Sequence, residues 1–263
     1  MLDNRLGISS KKSVNLADDA YSETSGRKVL KNMFREMYTS GDYLKKNPTW
    51  HAEDSPRKAK NIIQMMERNN IEPKTICEIG CGAGEILKQL QDNMKKDCFF
   101  YGYEISPQAF ELCKKKSNER LHFELKDILQ EKDIFFDMIL LIDLIEHMED
   151  YFSFLRGIKQ KGQYKIFNIP LDLSVQSVLR CTQIMKKREY VGHIHYFTKE
   201  IALQILQDTG YKIIDWFYPT GSKFPAKSIK SYIARLVRKH FFSIHKDLAV
   251  RIMGERSLMV LAK

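Results

Sequence analysis

The sequence predicts an α/β fold: a mostly parallel sheet covered by helices on both faces. Three observations carry this expectation. From residue 74 onward, short apolar strand-like runs alternate with helix-like segments, the pattern of parallel strand–helix–strand units. A glycine-rich turn joins the first of these runs to the first of these helices. The chain is also long enough for a sizeable core, and 43% hydrophobic residues with only 13 Gly and 7 Pro among 263 exclude a disordered, collagenous or low-complexity polypeptide.

The elements follow in order. Before residue 74, Leu30 to Tyr43 and Arg57 to Asn69 carry helical spacing, with Ala59, Ile62, Ile63 and Met66 on one face of the second. The stretch Tyr43 to His51 between them contains Pro48 and reads as a loop. Thr75 to Ile79 is then a short apolar strand, Glu85 to Met94 a helix and Phe99 to Ile105 a second strand. Ser106 supplies an N-cap and Pro107 a favoured first helical residue for a segment ending near Lys116. Further strands are expected at Leu121 to Leu125, Phe136 to Ile142 and Tyr164 to Ile169. Thr198 caps a helix through Gln207 that Gly210 stops, Tyr211 to Tyr218 is another strand, and Ser257 to Leu261 is the last. The expected organisation is an N-terminal helical or lid segment (1–73), a ligand-binding core (74–220), a basic helical insertion (221–256) and a terminal strand returning to the core (257–263).

The chain carries 43 Lys and Arg against 33 Asp and Glu. Residues 221–263 hold ten of the bases against Asp247 and Glu255, which accounts for eight of the net +10 charges. Lys227 to Phe241 places Ile229, Tyr232, Ile233, Leu236 and Val237 on one stripe with bases outside it, a basic amphipathic helix. Such a helix packs its stripe on the sheet, or meets an anionic membrane surface or a lipid-linked or phosphorylated substrate, or binds RNA; the three readings stay open, although no RNA-binding motif accompanies the charge. Residues 1–20 lack the apolar block of a signal peptide, and the longest aliphatic run, Met138 to Ile142, is far short of a membrane span. A cytoplasmic location without a transmembrane segment is the expectation, and the five cysteines read as reduced thiols in apolar surroundings.

Chemistry concentrates at Glu78-Ile-Gly80-Cys-Gly82-Ala-Gly84-Glu85, which ends a strand and opens a helix. Glycines there permit a tight turn and let a nucleotide lie against backbone N–H groups. A dinucleotide turn would want its third glycine where Glu85 stands, and a carboxylate sits badly beside a pyrophosphate. Glu78 adds a second negative group, so the expected ligand is positive. Glu104, at the end of the second strand, can accept from both ribose hydroxyls, and Asp127, after the third, from an exocyclic adenine amine.

At these residues the sequence resembles the class I S-adenosylmethionine-dependent methyltransferases, over roughly residues 43 to 220 plus the terminal strand. Glu78-x-Gly80-x-Gly82-x-Gly84 is similar to their first motif, Glu104 to their ribose acid, Lys126-Asp127 to their adenine-side motif, and Phe136 to His147 to their fourth strand and the loop after it. The resemblance implies a Rossmann-like seven-stranded sheet, mostly parallel with the last strand antiparallel, a helical lid before it, and S-adenosylmethionine across the carboxyl ends of the strands. The cofactor-binding residues it implies are Glu78, Gly80, Gly82, Gly84, Glu104, Asp127 and Asp143.

Methyl transfer from a sulfonium is an in-line displacement, so the protein must align the acceptor and exclude water, and a hydroxyl acceptor must also lose a proton. Asp143, Glu146 and His147 have i, i+3, i+4 spacing, and His193 and His195 alternate so as to face one side of an extended segment. His147 and His193 are the expected catalytic residues, and the bland reading of Glu146-His147 is a brace for the loop over the cofactor. Small-RNA terminal 2′-O-methyltransferases and ubiquinone-pathway O-methyltransferases place a divalent metal on E-x-x-E-H. Asp143-x-x-Glu146-His147 with His193 approximates that set, but Asp143 is one methylene short and non-metal relatives share the E-H pair, so a divalent metal is not favoured and no metal ligand is assigned. Trp50, His51, Asp54 and Ser55 stand where such enzymes carry a lid, or serve as simple packing; Tyr38 and Tyr43 are equally open. The leading function is methylation of a hydroxyl, or of an amine, on a small molecule such as a sugar, glycan or natural-product precursor. The alternatives are an RNA methyltransferase and a non-catalytic S-adenosylmethionine-binding protein.

Overall fold

The computed structural model describes residues 36–219, 229–254 and 256–263, with no side-chain detail for 229–235 and 237. Residues 1–35 and 220–228 lie outside the described chain, and with them most of the expected helix from Leu30 and the start of the insertion. In chain order the helices are α1 (Asp42–Lys46), α2 (Ser55–Arg68), α3 (Glu85–Asn93), α4 (Pro107–Cys113), α5 (Tyr151–Ile158), α6 (Val175–Arg180), α7 (Thr182–Val191), α8 (Lys199–Asp208), α9 (Ile229–Ile244) and α10 (Lys246–Met253). The strands are β1 (Thr75–Ile79), β2 (Phe99–Glu104), β3 (Leu121–Leu125), β4 (Phe136–Ile142), β5 (Gly162–Leu171), β6 (Ile213–Phe217) and β7 (Arg256–Ala262).

The seven strands form one sheet in the order β3-β2-β1-β4-β5-β7-β6. The pairs β3–β2, β2–β1, β1–β4 and β4–β5 are parallel, and β7 runs antiparallel to both β5 and β6. Alternation along the strands sends side chains to two cores. Cys77, Ile79, Ile139, Leu141 and Phe167 face one layer with Phe154, Leu155 and Ile158 of α5 and Ala202, Ile205 and Leu206 of α8. Ile76, Phe100, Met138 and Leu140 face the other with Ala59, Ile62, Met65 and Met66 of α2 and Leu87 and Leu90 of α3. Helix α2 thus covers the sheet directly, and this layer begins at Ser55, inside the stretch read from sequence as an N-terminal segment.

Local chemistry sets the ends of these elements. Ser106 accepts from the Ala109 N–H with Pro107 at the first helical position, and Thr198 accepts from the Ile201 N–H, both as their sequences predict. One buried polar group in the sheet is Lys165, whose ammonium donates to the Lys159 and Gly162 carbonyls at the end of the segment after α5.

Chain order reverses between β1 and β4: β2 and β3 lie to one side, β5 onward to the other. In open parallel sheets a crevice opens at such a switch point, beyond the carboxyl ends of the strands. Here those ends are Ile79, followed by the glycine turn, and Ile142, followed by Asp143.

Candidate active site

The glycine turn takes a conformation that side chains resist. Gly82 and Gly84 have φ of 55° and 71°. A Cβ at Gly82 would lie 2.5 Å from the Trp50 indole, and one at Gly84 2.6 Å from the Phe123 ring. The turn is held to the end of β2 by N–H donation: Gly80 to the Tyr103 carbonyl at 2.8 Å, and Gly82 to the Glu104 carboxylate at 2.8 Å. Glu104 also accepts from the Ile105 and Ser106 N–H groups, both at 2.8 Å, so it links the turn to the start of α4.

Beside this turn opens a cavity of about 1160 Å³. Its walls include Glu78, Gly80, Gly82, Asp143, His147 and His193, so six of the nine residues expected from sequence meet there. Gly84 and Glu104 lie behind the turn as its support. Asp127 caps residues 128–130 by accepting from the Leu129 N–H at 3.0 Å and does not line the cavity.

Glu78 sits on the face of β1 covered by α2, almost completely buried, and its Oε2 has no hydrogen-bond partner. Burial pushes its carboxyl up to about 8, the nearby Lys58 only partly opposing this. Lys58, on α2, forms an ion pair with Asp143 at 2.9 Å. Burial works against its ammonium, but Asp143, Asp54 and Glu78 together hold its pKa above the ordinary lysine range. Sequence reading missed Lys58; its only signal was a base one turn before Ile62 on an otherwise apolar helix face. Asp143 adopts a left-handed φ of 51° and also accepts from the Asn168 side chain at 2.5 Å.

The loop after β4 corrects two expectations. Residues Ile145–His147 form a single 3-10 turn, and Asp143 turns toward Lys58 and Asn168 instead of joining Glu146 and His147. Residues 192–198 are irregular, so His193 and His195 part: the His195 ring lies edge-on against Tyr151 at 4.7 Å, where α5 begins. The group that does converge is Glu146, His147 and His193, whose ligand atoms all lie within 4.8 Å of one another.

Within it, Glu146 is fully buried with both carboxylate oxygens unpartnered, and burial followed by the charge of Asp143 raises its pKa well above the carboxylate range. His147 is pushed down to about 3 by burial and then by His193, so it is neutral at pH 7. Its Nδ1 lies 3.1 Å from the Gly192 carbonyl and 2.8 Å from the Tyr38 hydroxyl; a proton on Nδ1 satisfies the carbonyl and leaves Nε2 as an acceptor. The two imidazoles stand edge to face, 4.8 Å between centroids. His193 Nδ1 is 2.6 Å from Asp172 Oδ2, and Lys187 pairs with the other oxygen of Asp172. Hydrogen bonds from His193 and Lys187 hold Asp172 below the usual carboxylate range despite its burial. Asp172, at the end of β5, also escaped sequence reading, since nothing in the spacing of a lone acid marks it.

The aromatic residues left open by the sequence cover the site. Trp50 rests on Gly82 and meets Tyr43 in a tilted contact at 4.7 Å between ring centroids, and Tyr43 meets Tyr38 at 4.9 Å. Trp50 and His51 have φ of 50° and 57°, a pair of consecutive left-handed residues that carries strain.

A sheet of this strand order with its seventh strand reversed, and a glycine turn at the switch point, is the class I methyltransferase fold. A profile of the methyltransferase-domain family matches residues 50–215, and the chain belongs to that family. The chain is similar to pavine N-methyltransferase of Thalictrum flavum subsp. glaucum, 28% identical over 128 residues, which span 45% of this chain and 36% of that enzyme. Among solved structures it is similar to the plantazolicin methyltransferase BpumL in complex with SAH, with a TM-score of 0.58 and 17% identity over 92% of this chain and 98% of that one. It is also similar to magnesium protoporphyrin IX methyltransferase from Synechocystis PCC 6803 with bound SAH, with a TM-score of 0.52 and 13% identity over 79% of this chain and 81% of that one.

Proposed function

We propose that the protein transfers a methyl group from S-adenosylmethionine to a hydroxyl, or in a close variant an amine, of a small molecule. The observation that carries this reading is the buried carboxyl of Glu78, whose Oε2 has no hydrogen-bond partner, in the wall of the cavity beside the glycine turn. A carboxylate so placed costs free energy until a cation meets it. Lys58 suits the methionine carboxylate and the Gly80–Gly84 backbone the adenosine; Glu104, which holds the turn from behind by accepting from the Gly82, Ile105 and Ser106 N–H groups, would take the ribose hydroxyls on the lone pairs these leave. The names of the relatives, pavine N-methyltransferase and a plantazolicin methyltransferase, support an acceptor of the small-molecule or natural-product class.

Bound S-adenosylmethionine supplies an electrophilic methyl on a sulfonium. The chain's own contribution is alignment, exclusion of water and removal of the acceptor proton. His193 is suited to the last task. Asp172 accepts its Nδ1–H, which fixes the ring and leaves Nε2 unprotonated on the side of Glu146 and His147. An acceptor hydroxyl that displaced the methyl, with the C–S bond breaking and S-adenosylhomocysteine leaving, would give its proton to His193 Nε2, and Asp172 would stabilise the imidazolium. His147, neutral and tied to Gly192, orients the acceptor with its Nε2. Trp50 and Tyr43, in the cavity wall, help to exclude water.

The test is incubation of the protein with methyl-labelled S-adenosylmethionine and small-molecule extracts, followed by mass spectrometry. A labelled small molecule is the expected product. Label in RNA alone, or tight SAH binding with no methyl consumed, would defeat the proposal.

A further inference from the structure

Helices α6 and α7 break the usual rule that a surface helix covers its apolar face. Val175, Val178 and Leu179 stand at i, i+3, i+4 on α6, yet they are 53%, 56% and 81% exposed. Helix α7 buries none of its side chains, and Met185 and Tyr190 on it are more than half exposed. Helix α10 packs against α6 and α9 against α10, and the Arg238 guanidinium reaches Gln176 on α6 at 3.1 Å. Leu236 and Ile244 of α9 are exposed on this same helical layer. Apolar side chains clustered in this way mark a surface that meets something.

The charge identifies the occupant. Arg180, Lys186 and Lys239 are exposed on the same helices, and residues 175–191 carry four bases against a single acid, Glu189. Lysine is depleted at the centre of protein–protein interfaces, whereas branched aliphatic side chains ringed by Lys and Arg are the composition that seats a helix among anionic headgroups. RNA would use the cations but leave Val175, Val178, Leu179 and Met185 without a role.

We propose that helices α6, α7 and α9 form a docking surface for an anionic lipid bilayer, with Leu179 and Met185 entering the headgroup–acyl boundary and Arg180, Lys186 and Lys239 meeting lipid phosphates. Docking there sets the cavity beside the bilayer, because Lys187 and Val191 of α7 line its wall. An acceptor with a lipid tail then reaches His193 without leaving the interface. The lipid-tailed acceptor rests on the methyl-transfer reading; the surface itself and the vesicle partition that tests it do not.

The test is flotation of the full chain with vesicles of phosphatidylcholine, with and without phosphatidylglycerol. Binding is expected to the anionic vesicles alone and is released by salt. Lys186→Gln and Arg180→Gln should each lower the partition coefficient about five-fold, and Leu179→Glu roughly ten-fold or more, with an unchanged thermal melt as the control for folding. Equal binding to neutral and anionic vesicles, no flotation at all, or variants that float like the parent would overturn the proposal. So would self-association in sedimentation that Leu179→Glu abolishes, which assigns the surface to a second copy of the chain.

Discussion

The carboxylate of Asp172 lies 2.6 Å from Nδ1 of His193, at the point where the last buried strand of the parallel half-sheet ends. This contact orients a base whose other nitrogen faces the cavity, so its loss should be felt in the chemical step. A positioned general base contributes about 10²–10⁴-fold in rate. His193→Ala should lose that factor, and Asp172→Asn about ten-fold or more of it, both with little change in SAH affinity. Single-turnover rates beside calorimetric SAH binding separate the two effects; an Asp172→Asn enzyme with full turnover would remove Asp172 from the assignment.

Glu78 makes the protein respond to pH in two opposite ways. Its folded-state carboxyl, at about 8, lies above the ordinary 4.5, so the folded chain holds this proton more tightly than the unfolded one. The stability it contributes is complete below the ordinary value and is lost as pH rises through about 8, a change of a few kcal/mol at about 1.4 kcal/mol per unit. Binding of a cationic ligand needs the ionised form, so affinity for S-adenosylmethionine should rise over the same interval. Thermal melts and titrations across this range, with Glu78→Gln as the flat control, check both signs.

Gly82 tolerates no side chain. Gly82→Val places a branched Cβ against Trp50 in a left-handed backbone, which should cost about 1–3 kcal/mol and abolish SAH binding. A companion Gly82→Val, Trp50→Ala variant relieves the clash and should recover stability but not affinity, as followed by denaturant unfolding and calorimetry.

Lys58 and Asp143 are a mostly buried pair, 12% and 20% exposed at their side chains. Removing one member of such a pair typically costs about 3–5 kcal/mol, because its partner stays behind uncompensated. Lys58→Met should therefore destabilise the protein and weaken SAH binding, while adding Asp143→Asn restores much of the stability without the affinity. Additivity of the two changes in a double-mutant cycle would show that the pair is not coupled.

Glu146, His147 and His193 are close enough to raise the question of a metal directly. With His193 acting as the base, EDTA should leave turnover unchanged. Loss of turnover in EDTA that Mg²⁺ or Mn²⁺ restores would reassign the three residues as ligands.

Most of the fold was legible because its signals are local. Alternating apolar runs, Ser106-Pro107, Thr198 and Gly210 each act within a few residues, and the strands and caps stand within one or two residues of their expected places. The glycine turn was legible for the same reason. Lys58 and Asp172 were not, since each gains its meaning from a residue far away in sequence: Lys58 from Asp143 across the sheet, Asp172 from His193 in a loop. The pairing of His193 with His195 failed because the two-residue period applies only to a strand, and residues 192–198 are tied through the Ile194 and His195 N–H groups to the Glu146 carbonyl instead.

The contact of Trp50 with Gly82 has a kinetic corollary. An adenosine lying against the glycine backbone would meet the indole that rests there, so SAH binding is expected to move Trp50 and change its fluorescence. With Trp216 as the one other tryptophan of the chain, stopped-flow fluorescence can time the movement directly.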